Sequence, residues 1–128
     1  MRLIPVFLIV GLSACGSAAA PDGAEGASAT DRSQPPLAFV QCGTCHQTKP
    51  GRNGIGPSLA GVFGAKAGHV GDYAYSAAMR GSGLTWDEAT LDTFLANPRA
   101  AVPGTKMSYA GLRDEGQRAE IIEFLKTQ

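Results

Sequence analysis

Apolar residues recur at helical spacing in two stretches towards the carboxyl end of the chain. Residues three and four positions apart share one side of a helix, so each stretch predicts a helix with one buried face. No stretch shows the strict alternation of apolar and polar residues that is typical of a β-strand. The pattern therefore predicts an all-α fold. The apolar residues concerned are Leu91, Phe94 and Leu95 in the first stretch and Ile121, Ile122, Phe124 and Leu125 in the second.

Capping signals mark where these two helices should begin. Thr85 with Glu88 three residues later forms a capping box, which predicts a helix start at Thr85. That helix should end at Asn97, because a proline follows. Asp114 and Gln117 form a second pair of this kind ahead of the last helix.

Two shorter helices are predicted earlier in the chain. Ser33 can cap a helix whose first turn tolerates the two prolines that follow it. Residues 76–80 predict a short helix that ends at Gly81. The first of these helices should have an apolar side made of Leu37, Phe39, Val40 and Cys42.

The amino-terminal segment has the composition of an export signal. Arg2 supplies a positive charge, and the apolar run at residues 3–12 is shorter than the roughly 20 residues that span a bilayer as a helix. The Leu-Ser-Ala-Cys sequence ending at Cys15 resembles the lipobox of bacterial lipoproteins, in which the cysteine is diacylated and becomes the new amino terminus. We expect a lipoprotein signal peptide at residues 1–14 and a lipid on Cys15. The alternative is an ordinary secretory signal with a chance cysteine.

Residues 15–36 lack apolar periodicity and large side chains. Such a segment cannot bury enough surface to offset the entropy of ordering it. We interpret it as a flexible tether, roughly 25 Å long on average, that leads into a domain at residues 37–128.

The most informative motif is Cys-x-x-Cys-His, from Cys42 to His46. It is the attachment signature of c-type haem, in which two thiols form thioether bonds with the haem and the histidine offers an imidazole to the iron. The spacing places all three side chains on one side of a helix. A thioredoxin-type redox pair would need a βαβ unit, and a zinc site would need about four ligands. His69 and Cys15 are the other candidates for such a zinc site.

The glycine-rich segment at residues 54–64 would let the backbone approach a haem closely. The Pro57 carbonyl is a candidate acceptor for the other ring nitrogen of His46, a bond that would orient the imidazole. The alternative is that the glycines and prolines only mark turns.

Composition limits the partners. The 128 residues include eleven basic and eleven acidic side chains, which allows one domain with a modest core and argues against a nucleic-acid partner. Two of the three cysteines are assigned to haem and one to lipid, so none is left for a disulfide.

Five sequence blocks between Leu37 and Lys126 resemble those of class I cytochromes c, in the group of mitochondrial cytochrome c and bacterial cytochrome c2. The blocks occur in the same order as in that family. The resemblance implies a cytochrome c fold, a small helical domain around one covalent haem c. It also implies that the first and last helices cross, with Phe39 and Phe124 as the matching aromatic residues. The blocks are Cys42–His46, Gly56–Gly64, Gly83–Trp86, Asn97–Pro98 and Pro103–Met107.

The resemblance implies that Met107 is the sixth ligand, opposite His46. Met107 follows a Pro-Gly pair in a loop, whereas Met79 lies in a short predicted helix where a core position is expected. His69 is the rival ligand. A thioether opposite a histidine raises the haem potential.

The resemblance also implies that Tyr75 and Trp86 donate hydrogen bonds to a haem propionate, with Ser76 and Thr105 as supporting polar groups. A carboxylate near an apolar interior needs such donors. The alternative for Trp86 is plain core packing.

The chain departs from the family pattern at several positions. Phe94 replaces the usual tyrosine near the methionine ligand, Ala65 replaces the usual arginine near the propionates, and Met79 replaces a buried asparagine. The lysine-rich docking face is thinned to Lys49, Lys66, Arg99 and Lys106.

The function implied is electron carriage, not catalysis, since both axial positions of the iron are filled. We expect a monomer, tethered at the periplasmic side of a bacterial membrane, that moves single electrons between membrane complexes. A bc1-type complex, a terminal oxidase or a photosynthetic reaction centre would be its donor or acceptor. The alternatives are a fixed subunit of an oxidase or dehydrogenase, a gas or redox sensor, and a peroxidase-type enzyme with an open sixth position.

Overall fold

The computed structural model describes residues 31–128, so the expected signal peptide, Cys15 and the tether up to residue 30 lie outside the described residues. Short helices joined by long loops make up this part of the chain, and the all-α prediction is confirmed. Its only β-type pairing between residues 31 and 128 is an isolated bridge between Lys66 and Thr85. The helices are a 3-10 turn at Leu37–Phe39, α1 at Val40–Gly43, α2 at Ala77–Gly81, α3 at Glu88–Ala96, α4 at Pro98–Ala101 and α5 at Glu115–Leu125.

The core forms where α5 crosses α3 and the 3-10 turn. The rings of Phe39 and Phe124 meet edge to face with centroids 4.7 Å apart, a geometry that aromatic pairs favour. Ile121 is 1% exposed at the centre of this contact. The predicted apolar faces of both long helices are buried, which confirms the helical periodicity in the sequence.

The predicted start of α3 at Thr85 is wrong. Asp87 caps the helix, and its carboxylate accepts a hydrogen bond from the backbone N–H of Thr90 at 2.8 Å. Thr85 is instead extended, since it bridges to Lys66 and the next backbone N–H, of Trp86, donates to the Ala65 carbonyl at 2.9 Å. This pairing between distant segments of the chain overrides the local capping signal.

The predicted cap at Ser33 is also wrong. Its hydroxyl bonds to the Asp31 carboxylate at 2.6 Å, and helical structure begins only at Leu37, after an extended Pro36. Leu37 is 90% exposed and Val40 66% exposed, so of the predicted apolar side only Phe39 is fully buried. Proline fixes its own φ and favours extended backbone before it, which delays the first helical turn.

The other predicted boundaries hold. Ser76 caps α2 by accepting from the backbone N–H of Met79 at 3.0 Å, and Asp114 caps α5 by accepting from that of Gln117 at 2.9 Å. Asn97 ends α3 as predicted but also caps α4, a short helix that was not predicted. The proline that ends α3 occupies the first turn of α4, where its missing N–H costs nothing.

The loop before α5 is tied to the helix pair by Arg118. Its guanidinium lies 2.6 Å from the Asp92 carboxylate of α3 and donates to the carbonyls of Leu112 and Arg113, both at 2.9 Å. The Leu112 N–H in turn donates to the Leu95 carbonyl at 2.9 Å. These bonds hold the end of the segment that carries Met107 against the core.

Among residues 31–128, no helix has the length and apolar character needed to cross a membrane.

Candidate haem site

A cavity of about 370 Å³ lies between the helices and the loops. Its volume falls in the range of small-molecule and cofactor sites. It brings together all nine residues that were predicted to bind haem from the domain sequence. These are Cys42, Cys45, His46, Pro57, Tyr75, Ser76, Trp86, Thr105 and Met107.

The two thiols enter the cavity from α1 and the turn that follows it. The backbone N–H groups of Cys45 and His46 both donate to the Cys42 carbonyl, at 3.1 and 2.9 Å, so the motif closes into one helical turn. Both thiols are free and half-buried. Burial raises the pKa of the Cys42 thiol. Because both thiols are free and line the cavity, their sulfur atoms are available for covalent attachment to a ligand there.

The imidazole of His46 is held in one orientation. Its Nδ1 lies 2.8 Å from the Pro57 carbonyl oxygen, which can only accept, so the ring proton resides on Nδ1. Nε2 then keeps a free lone pair for a metal. A hydrogen bond of this kind also increases the basicity of the ligand nitrogen.

Gly56 lies directly against the His46 ring. A Cβ built at Gly56 would stand 2.6 Å from Nδ1 and 2.8 Å from Nε2, closer than real side chains approach. The Gly56 N–H donates to the Cys45 carbonyl at 2.9 Å, which fixes the glycine in this place. The absence of a side chain here is therefore a requirement of the histidine position, not merely of a turn.

The segment that carries Met107 follows the turn at Gly104, where φ is +92°. The Met107 N–H donates to the Thr105 hydroxyl at 3.3 Å, and Lys106 reaches away to the Ala74 carbonyl at 2.8 Å. Met107 is half-buried against the core. Met79 is 8% exposed within α2, which confirms its predicted core position.

Trp86 and Tyr75 form part of the same wall. The Trp86 ring packs on Phe94 with centroids 4.9 Å apart and is 6% exposed, so core packing is one of its roles. Burial raises the pKa of the Tyr75 hydroxyl. Ser76 and Thr105 already accept backbone hydrogen bonds, but each hydroxyl proton can still be donated to a ligand.

Two tyrosines at the cavity were not singled out from the sequence. Tyr73 donates its hydroxyl to the Ile55 carbonyl at 2.7 Å and so joins the loops on which they lie. The Tyr109 hydroxyl is buried and has no hydrogen-bond partner among residues 31–128. In the sequence, the feature that could have pointed to Tyr109 is its place two residues after Met107 in the same loop. His69, the rival ligand, is exposed on a loop at the cavity edge.

These residues fit a c-type haem. The His46 imidazole, the Met107 thioether and two free thiols share a single cavity, and this is the donor set of His/Met haem attachment. The bare backbone at Gly56 leaves room for the histidine ring. No group of three or more His, Cys, Asp or Glu side chains able to hold a metal ion occurs between residues 31 and 128.

No protein-family model matches the chain. Cytochrome c2 of Rhodomicrobium vannielii is 54% identical over 91 residues, which cover 70% of this chain and 73% of that protein. Cytochrome c2 iso-2 of Magnetospirillum molischianum is 48% identical over 92 residues, covering 72% of this chain and 95% of its own length. Cytochrome c2 of Blastochloris viridis is 37% identical over 120 residues, or 93% of this chain and 91% of that protein.

A solved structure of cytochrome cH from Methylobacterium extorquens superposes with a TM-score of 0.68 at 49% identity, covering 71% of this chain and 92% of that one. This similarity confirms the cytochrome c fold. With the relatives above, it shows an electron-transfer protein with one covalent haem c, and not an enzyme. The chain belongs to the cytochrome c2 group of class I cytochromes c.

Proposed function

We propose that this protein carries single electrons between membrane redox complexes while a lipid on Cys15 holds it at the membrane. The observation that supports electron carriage is the presence of the His46 imidazole and the Met107 thioether in one cavity with two free thiols. When bound, haem supplies an iron that exchanges one electron between its Fe(III) and Fe(II) states.

The chain's own residues then have defined roles. Cys42 and Cys45 would hold the haem through thioether bonds, which would prevent its loss. His46 and Met107 would supply the two remaining donor atoms to the iron, so no position would be left for a substrate. The bond from His46 Nδ1 to the Pro57 carbonyl and the anchoring of the Met107 segment keep both donors in place as the charge changes.

The polar residues of the cavity bind the propionates in this proposal. Tyr75 and Trp86 would donate hydrogen bonds to one carboxylate, and Ser76 and Thr105 would support them. A carboxylate drawn towards an apolar cavity needs such donors, because an unpaired buried charge is costly. Burial raises the pKa of the Tyr75 phenol, which favours the protonated form that can donate.

Carbon monoxide tests this assignment directly. The protein is produced together with a haem-ligation apparatus and reduced. It should show a six-coordinate, low-spin spectrum, leave CO unbound and be oxidised and reduced reversibly by one electron. Rapid formation of a CO adduct by the native reduced protein would contradict the proposal and favour a gas sensor or a peroxidase-type enzyme.

The partners in this proposal are membrane complexes on the periplasmic side: a bc1-type complex as donor, and a terminal oxidase or a photosynthetic reaction centre as acceptor. Without Arg2, which the proposed cleavage removes, the chain has ten basic and eleven acidic residues, and this near-neutral balance implies weak electrostatic steering towards such partners. A tether of about twenty residues would compensate, since it raises the local concentration of the domain at the membrane.

Intact-mass spectrometry of the detergent-extracted protein tests the tether. We expect one haem addition, an amino terminus at Cys15 and the mass of two or three acyl chains. A Cys15→Ser variant should lose the acyl mass and leave the membrane fraction while keeping its haem. A mature chain that begins elsewhere and carries no acyl mass would contradict the lipid anchor.

A further inference from the structure

The hydroxyl of Tyr109 is buried at the cavity without a partner. Among residues 31–128 it is the one buried side-chain oxygen or nitrogen that makes no hydrogen bond. Buried polar atoms in folded proteins almost always have a partner, because an unpaired one keeps the full cost of leaving water. The missing acceptor should therefore be supplied when the cavity is filled.

The backbone around Tyr109 directs its side chain to the same side as Met107. Residues 105–110 lie outside any helix, and exposure alternates along them, as it does in extended backbone: Thr105, Met107 and Tyr109 are half-buried, whereas the residues between them are exposed. In extended backbone, side chains two positions apart point to one face. Met107 and Tyr109 both line the cavity, as this alternation requires.

The acceptor that this face of the segment offers is the sulfur of Met107. Met107 and Tyr109 lie two residues apart on the same half-buried side, and both line the cavity. A thioether sulfur can accept a hydrogen bond.

We propose that Tyr109 is a positioning residue whose hydroxyl donates a hydrogen bond to the Met107 sulfur once that sulfur is an axial ligand. The inference rests on the proposed ligation by Met107. The three rotatable bonds of methionine let the sulfur move into reach. The bond withdraws electron density from the sulfur and weakens its donation to ferric iron, so it raises the reduction potential.

Tyr109→Phe tests this in the haem-loaded protein, because it keeps the ring and removes only the hydroxyl. We expect a lower midpoint potential, a shift in the near-infrared sulfur-to-iron band of the ferric protein, and a lower denaturation midpoint. Tyr73→Phe is the matched control. It also removes a tyrosine hydroxyl from the cavity lining, but one that already bonds to the Ile55 carbonyl, so the sulfur-to-iron band should not move.

Three results would overturn the inference: an unmoved band, an unchanged potential, or a Tyr109→Phe protein more stable than the parent, as expected when an unpartnered hydroxyl is removed. The spectrum of the parent protein distinguishes failure of the inference about Tyr109 from failure of the proposed ligation by Met107. If the parent lacks the sulfur-to-iron band, Met107 is not the ligand and both proposals fall. If the parent has the band and Tyr109→Phe leaves it unmoved, only the role of Tyr109 is lost.

Discussion

Met107→Ala should abolish the low-spin, sulfur-ligated spectrum and let the reduced protein bind CO. Met107 lies in the cavity wall on a segment held by Gly104, Thr105 and the bonds around Arg118, and alanine leaves no donor atom there. The iron should become high-spin or recruit another ligand. The midpoint potential should fall by on the order of 100 mV, a fraction of the range of about 0.8 V that axial ligands span in haem proteins. Absorption spectra and a potentiometric titration measure these changes.

Two leucine variants separate loss of the ligand from loss of packing. Met107→Leu keeps apolar bulk without a donor, so it should show the same spectral change with a smaller loss of stability. Met79→Leu changes the other methionine of the domain, which is buried in α2, and should leave the spectrum unchanged. If Met79→Leu lost the sulfur band while Met107→Ala kept it, the ligand assignment would be wrong.

Gly56→Ala should displace the His46 ring and destabilise the protein by about 1–3 kcal/mol, the usual cost of overpacking a filled site. The three atoms nearest to the added Cβ all belong to that ring. The ring cannot tilt away without stretching its 2.8 Å contact with the Pro57 carbonyl. We expect part of the protein to lose its low-spin spectrum. Chemical denaturation followed by absorption measures both effects.

Gly43→Ala is the control for this substitution. Gly43 lies inside the haem motif, at the end of α1, and an added Cβ there meets no atom within 4 Å. Alanine should be neutral or stabilise the protein slightly, because it reduces the entropy of the unfolded chain. Equal effects of the two substitutions, or an unaltered spectrum in Gly56→Ala, would show that the glycine is not needed for the histidine position.

Prediction from sequence succeeded where the physical cause lies within a few residues. The buried faces of α3 and α5 follow from helical periodicity, and the haem motif holds its thiols and imidazole within one turn. The predicted caps at Ser33 and Thr85 are wrong because other effects, which residue spacing does not reveal, outweigh the local capping preference. Two prolines delayed the first helix, and pairing with residues 64–66 kept Thr85 extended.

The residues of the site also divide into those that local motifs predict and those that they do not. The residues gathered at the cavity could be predicted, since their chemistry belongs to recognisable motifs. The buried hydroxyl of Tyr109 could not, because nothing local distinguishes it from an exposed tyrosine. Its burial depends on how the loop before α5 is fastened to α3 by Arg118 and Leu112.

The sequence by itself determined the helical class of the domain and the chemical groups offered to the haem, because helical spacing and adjacent ligands are properties of short segments. Only the tertiary structure decided which extended segments pair, which glycine lies against the histidine ring and which hydroxyl is left without a partner. Those outcomes depend on contacts between residues far apart in the chain, and no local pattern encodes them.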